Sequence, residues 1–318
     1  MCYLDFGALE YKPRTIYLGA VVSDTGIISH DINDYINEKR SHITVKYNNF
    51  VHKHYLAPLD VKLNVLDACV SSTLVYACES WGISKVNHAE VAYRLGLKRA
   101  LSIRETTNTE IVYIEADKYP LHIRISKQQL NFWLKLKDYL LENPGHPLGY
   151  LINHAQRIHL NFISHYENLE NEFQNAVNCQ KQLEIRFRTE SQAKIRADAG
   201  IDDDSRFGIY NLINPQLIPP IKRIDILEVE RVIVTRYRSG SHNLRIETGR
   251  ICNPSIPREE RMCRCDQGIQ SLRHVLFDCP LLADLHNTYN FTSVEEALRR
   301  DNIAEFLITM QRKLRISC

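Results

Sequence analysis

Three cysteines and one histidine lie close together near the end of the chain, in the segment MCRCDQGIQSLRHVLFDCP at residues 262–280. One residue separates the first two cysteines, eight residues follow before the histidine, and four more precede the last cysteine. Two close pairs of soft or borderline ligands, joined by a short loop, can supply the tetrahedral set that zinc prefers. The spacing therefore predicts a structural zinc site, because four protein ligands leave no open position for catalysis. The predicted ligands are Cys263, Cys265, His274 and Cys279.

Other assignments of these side chains remain open. The thiols can be buried and the histidine hydrogen-bonded without any metal. Two residues between paired cysteine ligands are commoner than one, and Cys252 could replace Cys263 or Cys265. Nine cysteines without a secretory signal indicate a reducing compartment, where thiols bind metal or stay buried more often than they pair. We expect an intracellular protein, in the nucleus or the cytoplasm.

The composition excludes some classes of protein and leaves others open. Apolar residues make up 44% of the chain and charged residues 25%, which are ordinary globular values. No run of about eighteen apolar residues is present, so we expect no membrane span. The formal net charge of +2 gives no overall attraction to nucleic acid. Any binding of a polyanion must therefore come from local clusters of charge.

Arginines form such a cluster around the cysteines. Between Lys222 and Arg264 there are ten basic and six acidic residues, a local excess of four. Guanidinium groups suit phosphates because they bind bidentately and stay charged, so we predict a nucleic-acid surface here. The alternative is a solvated face paired with Glu247, Glu259 and Glu260. The candidate residues are Arg236, Arg238, Arg245, Arg250, Arg258, Arg261, Arg264 and Arg273.

Hydrophobic spacing predicts a mainly α fold, a multi-helix bundle with a short N-terminal β-hairpin and a small C-terminal zinc-binding region. The stretch TIYLGAVVSDTG favours two short strands, and apolar residues recur at helical spacing from residue 29 onward. We expect strands only within residues 1–28, apart from a small hairpin around Cys263 and Gly268. Breaks such as ENPGHPLG and INPQLIPP divide the chain into four regions, at 1–28, 29–145, 146–205 and 206–318. No Ser-His-Asp arrangement, phosphate loop or dinucleotide fingerprint is present, so we expect no catalytic centre.

Several stretches together resemble the carboxyl-terminal part of a non-LTR retrotransposon (LINE-type) reverse transcriptase polyprotein. YLGAVVSDTG with DINDYINEKR resembles the segment after the polymerase active site, and KLNVLDACVSSTLVYACESWG is similar to the helical thumb. RLGLKRALSIRETTNTEIVYIEADKYPLHIRI resembles the helical connection that follows. YRSGSHNLRIETGR with IPREERMCRCDQGIQSLRHVLFDCP resembles the terminal zinc knuckle. These stretches extend across about residues 15–285.

The resemblance implies that residues 1–28 are a remnant of the polymerase palm edge, followed by a thumb, connecting helices and a knuckle that binds RNA or DNA. Tyr17, Leu18 and Gly19 match the strand that supports the primer end. The family's polymerase needs an aromatic-x-Asp-Asp strand to hold two magnesium ions, and LDFGALEY before Thr15 does not supply it. We therefore expect a fragment that is not an enzyme by itself and whose polymerase core, if encoded, lies upstream. The alternative is a zinc-stabilised helical protein-interaction module.

Overall fold

The computed structural model describes residues 14–17, 20–23, 28–81, 87–157, 161–199, 206–218 and 227–316. Within these ranges the chain is mainly helical, as its hydrophobic spacing predicts. The first helices are α1 (Ile28–Lys53), α2 (Leu59–Val65), α3 (Ser72–Leu74), α4 (Cys78–Trp81), α5 (Asn87–Leu101), α6 (Thr109–Glu115), α7 (Leu121–Glu142) and α8 (Pro147–Arg157). The later helices are α9 (Asn161–Phe173), α10 (Ala176–Ala199), α11 (Arg206–Ile213), α12 (Glu228–Arg238), α13 (Arg245–Ile251), α14 (Ala283–Tyr289), α15 (Val294–Arg299) and α16 (Ile303–Lys313). No helix within the described ranges combines the length and the apolar character needed to cross a bilayer.

Strands are few and short. β1 (Arg14–Tyr17) pairs antiparallel with β2 (Ala20–Ser23), and Tyr17 lies opposite Ala20. Leu18 and Gly19, which join the two strands, lie outside the described residues, so the predicted N-terminal hairpin stays a prediction. A single bridge joins Met262 to Ile269, where the sequence predicts a small hairpin in the cysteine region.

The contacts divide the chain into two compact units, each assembled from stretches that are distant in sequence. Unit 1 holds the described residues up to Tyr47 together with Asp67–Tyr93 and Pro120–Leu183. Unit 2 holds Asn48–Leu66, Arg94–Tyr119 and the described residues from Glu184 onward. The four regions predicted from the sequence are defined by composition and by the family resemblance. The two units are defined by contacts between residues, so their boundaries differ from those of the four regions.

The core of unit 1 forms where α7 packs against α9. Ile163, Tyr166 and Phe173 recur at helical spacing on α9 and are buried. The Trp133 ring of α7 stacks on Tyr166 with centroids 5.4 Å apart, and its indole N–H donates to a Glu170 carboxylate oxygen at 2.8 Å. An aromatic pair of this kind adds about 0.5–1.5 kcal/mol beyond the area that it buries.

The core of unit 2 continues from the C-terminal helices into the cysteine region. Phe306, Leu307 and Met310 of α16 are fully buried, and they share one cluster with Cys263 and Cys279. Burying each large apolar side chain contributes about 1.5–3 kcal/mol. The predicted metal region is therefore part of this core and is not an appendage to it.

A buried ion pair links α6 to α12 inside unit 2. The Arg238 guanidinium donates from Nη2 to Glu115 Oε1 at 2.9 Å and from Nε to the same oxygen at 3.1 Å. The Tyr210 hydroxyl also donates to this oxygen at 2.9 Å. Breaking such a pair costs about 3–5 kcal/mol, because it leaves a buried charge without compensation. Arg238 thus has a structural partner, which its position in an arginine-rich stretch does not reveal.

Candidate metal centre

The four predicted ligands come together. The ligand atoms of Cys263, Cys265, His274 and Cys279 all lie within 4.8 Å of one another. The sulfur atoms of Cys263 and Cys279 are 3.7 Å apart, and Cys265 Sγ lies 3.2 Å from His274 Nε2. Zinc–sulfur bonds of about 2.3 Å in a tetrahedron separate two sulfurs by about 3.8 Å. These four side chains are close enough to hold a metal ion, and their donor set is compatible with zinc.

A tight reversal of the chain positions the first pair. The Cys263 N–H donates to the Gly268 carbonyl at 2.7 Å, and the Asp266 N–H donates to the Cys263 carbonyl at 3.0 Å. Asp266 has a φ of 57°, a left-handed conformation that Asp adopts more readily than most residues. Because the chain turns back directly after the first cysteine pair, one intervening residue is enough to direct both sulfurs to the same point.

A π-helical turn positions the second pair. His274 and Cys279 are five residues apart, and an α-helix would place them about 140° apart around its axis. Residues His274–Asp278 instead form a wider π turn, in which the Cys279 N–H donates to the His274 carbonyl at 2.9 Å. Such turns are rare and occur frequently at functional sites. The wider turn is what brings the imidazole and the last thiol to one side of the chain.

Burial shapes the protonation of the site. Cys263, His274 and Cys279 are buried, while Cys265 is partly exposed. Burial, reinforced by the neighbouring Cys263, raises the pKa of the Cys279 thiol to about 12. Burial lowers the pKa of His274, which favours the neutral imidazole that binds metal. A divalent cation would compensate the charge of thiolates that burial alone disfavours.

Two small residues lie beside His274, one at its ring and one at its backbone. A Cβ atom added at Gly268 would lie 3.1 Å from His274 Nδ1, which is tighter than ordinary van der Waals contact. The Ser271 hydroxyl accepts the His274 backbone N–H at 3.2 Å. Gly268 therefore allows the loop to pass close to the histidine ring, in addition to easing the turn.

Cys252 lies outside the cluster. Its thiol is exposed and donates to the Thr248 carbonyl at 3.2 Å, at the end of α13. The group that could hold a metal contains the other four residues and not Cys252. The alternative ligand set with Cys252 receives no support from the structure.

Four of the predicted arginines have identified partners inside unit 2. Arg238 pairs with Glu115, Arg236 donates from Nε to the Ser102 carbonyl at 2.9 Å, and Arg250 pairs with Glu247 at 3.0 Å. The Arg261 guanidinium donates to the backbone carbonyls of residues 246 and 256, at 2.7–2.9 Å. These contacts hold parts of unit 2 together.

The other four predicted arginines are exposed. The Arg245 guanidinium donates from Nη1 to the Met262 carbonyl at 3.2 Å, and Arg258 lies in the exposed stretch before the cysteines. Arg264 and Arg273 have no hydrogen-bond or ion-pair partner among the residues that the structure describes. Of the three residues predicted to support a primer end, only Tyr17 is described, at the end of β1.

Comparisons with known proteins give no identity for this arrangement. A scan against protein-family models, a search of curated proteins and a search of solved structures found no match to this chain. The site therefore has to be interpreted from its own geometry.

Sequence reasoning did not single out Gln270, a buried residue that contacts both the cysteine cluster and α13. The available signal was its position in the loop between the two ligand pairs, where an amide can reach a sulfur atom. A lone glutamine in a short loop is too common to be selected on that ground.

The geometry predicts one divalent metal per chain when the 318-residue chain is purified without chelator. Replacing Cys279 by Ser should abolish stoichiometric binding, because it removes a buried ligand. Replacing Cys252 by Ser should leave the metal content unchanged. Elemental analysis of the folded protein measures this, and folded protein without metal, or loss of metal from the Cys252 variant, would contradict the ligand assignment.

The Gly268→Ala variant should bind metal more weakly than the parent, because the added methyl group presses on the His274 ring. Competition with a chromogenic chelator measures the affinity. Gly145→Ala is the matched control, since a Cβ at that position meets nothing within 4 Å. Equal metal affinity for the Gly268 variant and the parent would show that the ring is not confined in this way.

Proposed function

We propose that this chain is a non-catalytic fragment derived from a non-LTR retrotransposon reverse transcriptase, and that a zinc-held arginine surface in its C-terminal region binds the backbone of RNA or DNA. One observation carries the binding proposal. Arg264 lies between the two cysteines of the first pair, and Arg273 directly precedes the histidine ligand. Both are exposed, and neither has an internal partner among the described residues. A metal bound there would fix the backbone of both arginines before a nucleic acid arrives.

Zinc is the metal that the donor set favours. Three thiolates and one imidazole suit zinc, which takes four such ligands in structural sites. Its binding would contribute on the order of 10 kcal/mol to folding, because the site does not exist in the unfolded chain. The zinc is structural in this proposal, since four protein ligands saturate it.

Four exposed arginines are the residues proposed to contact phosphates, namely Arg245, Arg258, Arg264 and Arg273. Arg236, Arg238, Arg250 and Arg261 have internal acceptors, and we assign them structural roles first. Fixing the backbone in advance reduces the ordering cost when a flexible strand binds.

The retrotransposon origin rests on the sequence stretches that resemble the family. In this proposal β1 and β2 are the edge of a former palm, and the helices after them correspond to the thumb and its connection. The sequence contains no aromatic-x-Asp-Asp segment, which is the basis for proposing a fragment without polymerase activity.

A second candidate function is a protein-interaction module. Unit 1 exposes large apolar side chains close together in sequence, on α7 and α8. Leu141 is 79% exposed and Tyr150 is 71% exposed, and Tyr139 and Leu151 are also open to solvent. Exposed apolar surface of this kind is typical of protein contacts. This candidate gains support if the chain proves not to bind nucleic acid.

The full chain should bind single-stranded RNA with an affinity that falls steeply with salt, because each neutralised phosphate releases counterions. Replacing Arg264 and Arg273 together by Ala should weaken binding and flatten the salt slope by about 1.4, since each phosphate neutralised on a single strand adds about 0.7 to that slope. Titration at several salt concentrations, with single-stranded DNA of the same sequence as a second arm, measures both quantities.

Arg299 and Arg300 provide the matched control for this pair. Both lie on or beside α15 and pair with Glu295 and Glu296. Their double Ala variant removes the same charge and should bind RNA nearly as the parent does. Parent-like binding and zinc content in the Arg264 and Arg273 variant would instead identify these arginines as a solvated face and favour the interaction module.

The chain should also show no primer extension on any template, with magnesium or with manganese. Phosphoryl transfer needs carboxylates that hold the metal ions, and the sequence offers no such strand. Template-dependent incorporation above a mock preparation would contradict the proposal.

A further inference from the structure

Gln270 is buried inside unit 2, and four of its polar atoms face partners there. Its backbone N–H donates to the Arg261 carbonyl at 2.9 Å, and its backbone carbonyl accepts the Ile246 N–H at 3.2 Å. The side-chain oxygen accepts the Arg245 N–H at 2.9 Å. The side-chain nitrogen is directed at Cys263 Sγ, at 4.0 Å. One residue therefore touches a metal-ligand cysteine on one side and a helix on the other.

The helix that it touches has no cap of its own. The first N–H groups of any helix lack partners within the helix. Leu244 occupies the N-cap position of α13 and has no side-chain oxygen that could accept them. Gln270, which lies 24 or more residues further along the chain, accepts two of these N–H groups. Its side-chain oxygen accepts the Arg245 N–H, and its backbone carbonyl accepts the Ile246 N–H. The loop between the metal ligands thus supplies the cap that the sequence of α13 does not.

Two arginines add contacts between the same two elements. The Arg261 guanidinium donates to the Ile246 carbonyl at 2.9 Å, and Arg245 donates to the Met262 carbonyl at 3.2 Å. Gly249 leaves room for the first of these side chains, because a Cβ there would lie 2.9 Å from its aliphatic part. Helix α13 therefore packs along the segment 261–270. Within that segment, Gln270 also contacts the candidate metal ligand Cys263.

We propose that Gln270 couples occupation of the metal centre to the position of α13. A metal-bound Cys263 thiolate accepts the amide N–H and holds the side chain in place, as partners of ligating residues commonly do. The same side chain then holds the first turn of α13, on which Arg245 lies. Without the metal, the Gln270 side chain loses its anchor on Cys263, and the Arg245 N–H loses a fixed acceptor. The consequence for nucleic-acid binding rests on the proposed function, whereas the coupling itself does not.

Two variants of the zinc-loaded 318-residue chain change the contacts of Gln270 to different extents. Gln270→Leu removes both side-chain hydrogen bonds, so backbone amides of α13 should exchange hydrogen about fivefold to tenfold faster, as expected when a helix cap is removed. Its zinc affinity should fall by about tenfold or more, because ligand Cys263 loses its partner. Gln270→Glu still accepts from the Arg245 N–H but places a negative charge beside the thiolate. It should lose zinc affinity, and because its side chain lacks the N–H that anchors it on Cys263, the amides of α13 should exchange faster than in the parent but more slowly than in Gln270→Leu.

Gln129→Leu is the matched control. Gln129 is also a buried glutamine, and its amide donates to the Cys78 carbonyl within unit 1. This variant removes a buried hydrogen bond but should leave both the exchange of α13 and the zinc affinity unchanged. Hydrogen exchange by mass spectrometry and chelator competition provide the two readouts.

The results distinguish the coupling from the proposed function. If Gln270→Leu leaves both readouts as in the parent, or if Gln270→Glu leaves zinc affinity unchanged, the coupling is overturned. If the parent chain binds no RNA while Gln270→Leu still loosens α13 and weakens zinc, the coupling stands and the proposed nucleic-acid function fails. If both hold, the Gln270→Leu chain should also bind RNA more weakly than the Gln129 control.

Discussion

The organisation of the C-terminal region depends on the convergence of three sulfur atoms and one imidazole nitrogen inside an apolar core. Cys263 and Cys279 belong to the same buried cluster as the α16 side chains, so two of the candidate metal ligands are part of the hydrophobic core. Burial raises the pKa of Cys279 and lowers that of His274, so thiolates at this point would need the positive charge of a cation to compensate them. A metal bound by the four side chains would hold together a stretch that has little regular structure of its own.

The ligand set could be predicted from the sequence because ligand types and spacing are local properties. The way in which His274 and Cys279 come together could not be predicted, because a five-residue separation in an α-helix would direct the two side chains away from each other. The π turn that joins them is a local departure from helical period, which hydrophobic patterns do not encode. The mainly helical fold follows from the period of apolar residues. The division into two units does not, since Asn48–Leu66 joins Arg94–Tyr119 through contacts between distant parts of the chain.

The roles of individual arginines were also beyond what the sequence could predict. A run of arginines indicates a basic surface only if they lack internal acceptors, and those acceptors are distant in sequence. Glu115 neutralises Arg238 across more than a hundred residues, and the Ile246 carbonyl occupies Arg261. Of the arginines proposed to bind phosphates, Arg264 and Arg273 lie next to the candidate metal ligands and have no partner among the described residues. In the proposed coupling, Gln270 connects the candidate metal site to α13, which has no cap residue of its own.

X-ray absorption at the zinc edge of the purified 318-residue chain tests the central claim most directly. We predict a first shell of three sulfur atoms at about 2.3 Å and one nitrogen at about 2.0–2.1 Å. The same spectrum should persist in the Cys252→Ser variant and lose one sulfur in the Cys265→Ser variant. A shell of only nitrogen and oxygen atoms, or folded protein without zinc, would contradict the account.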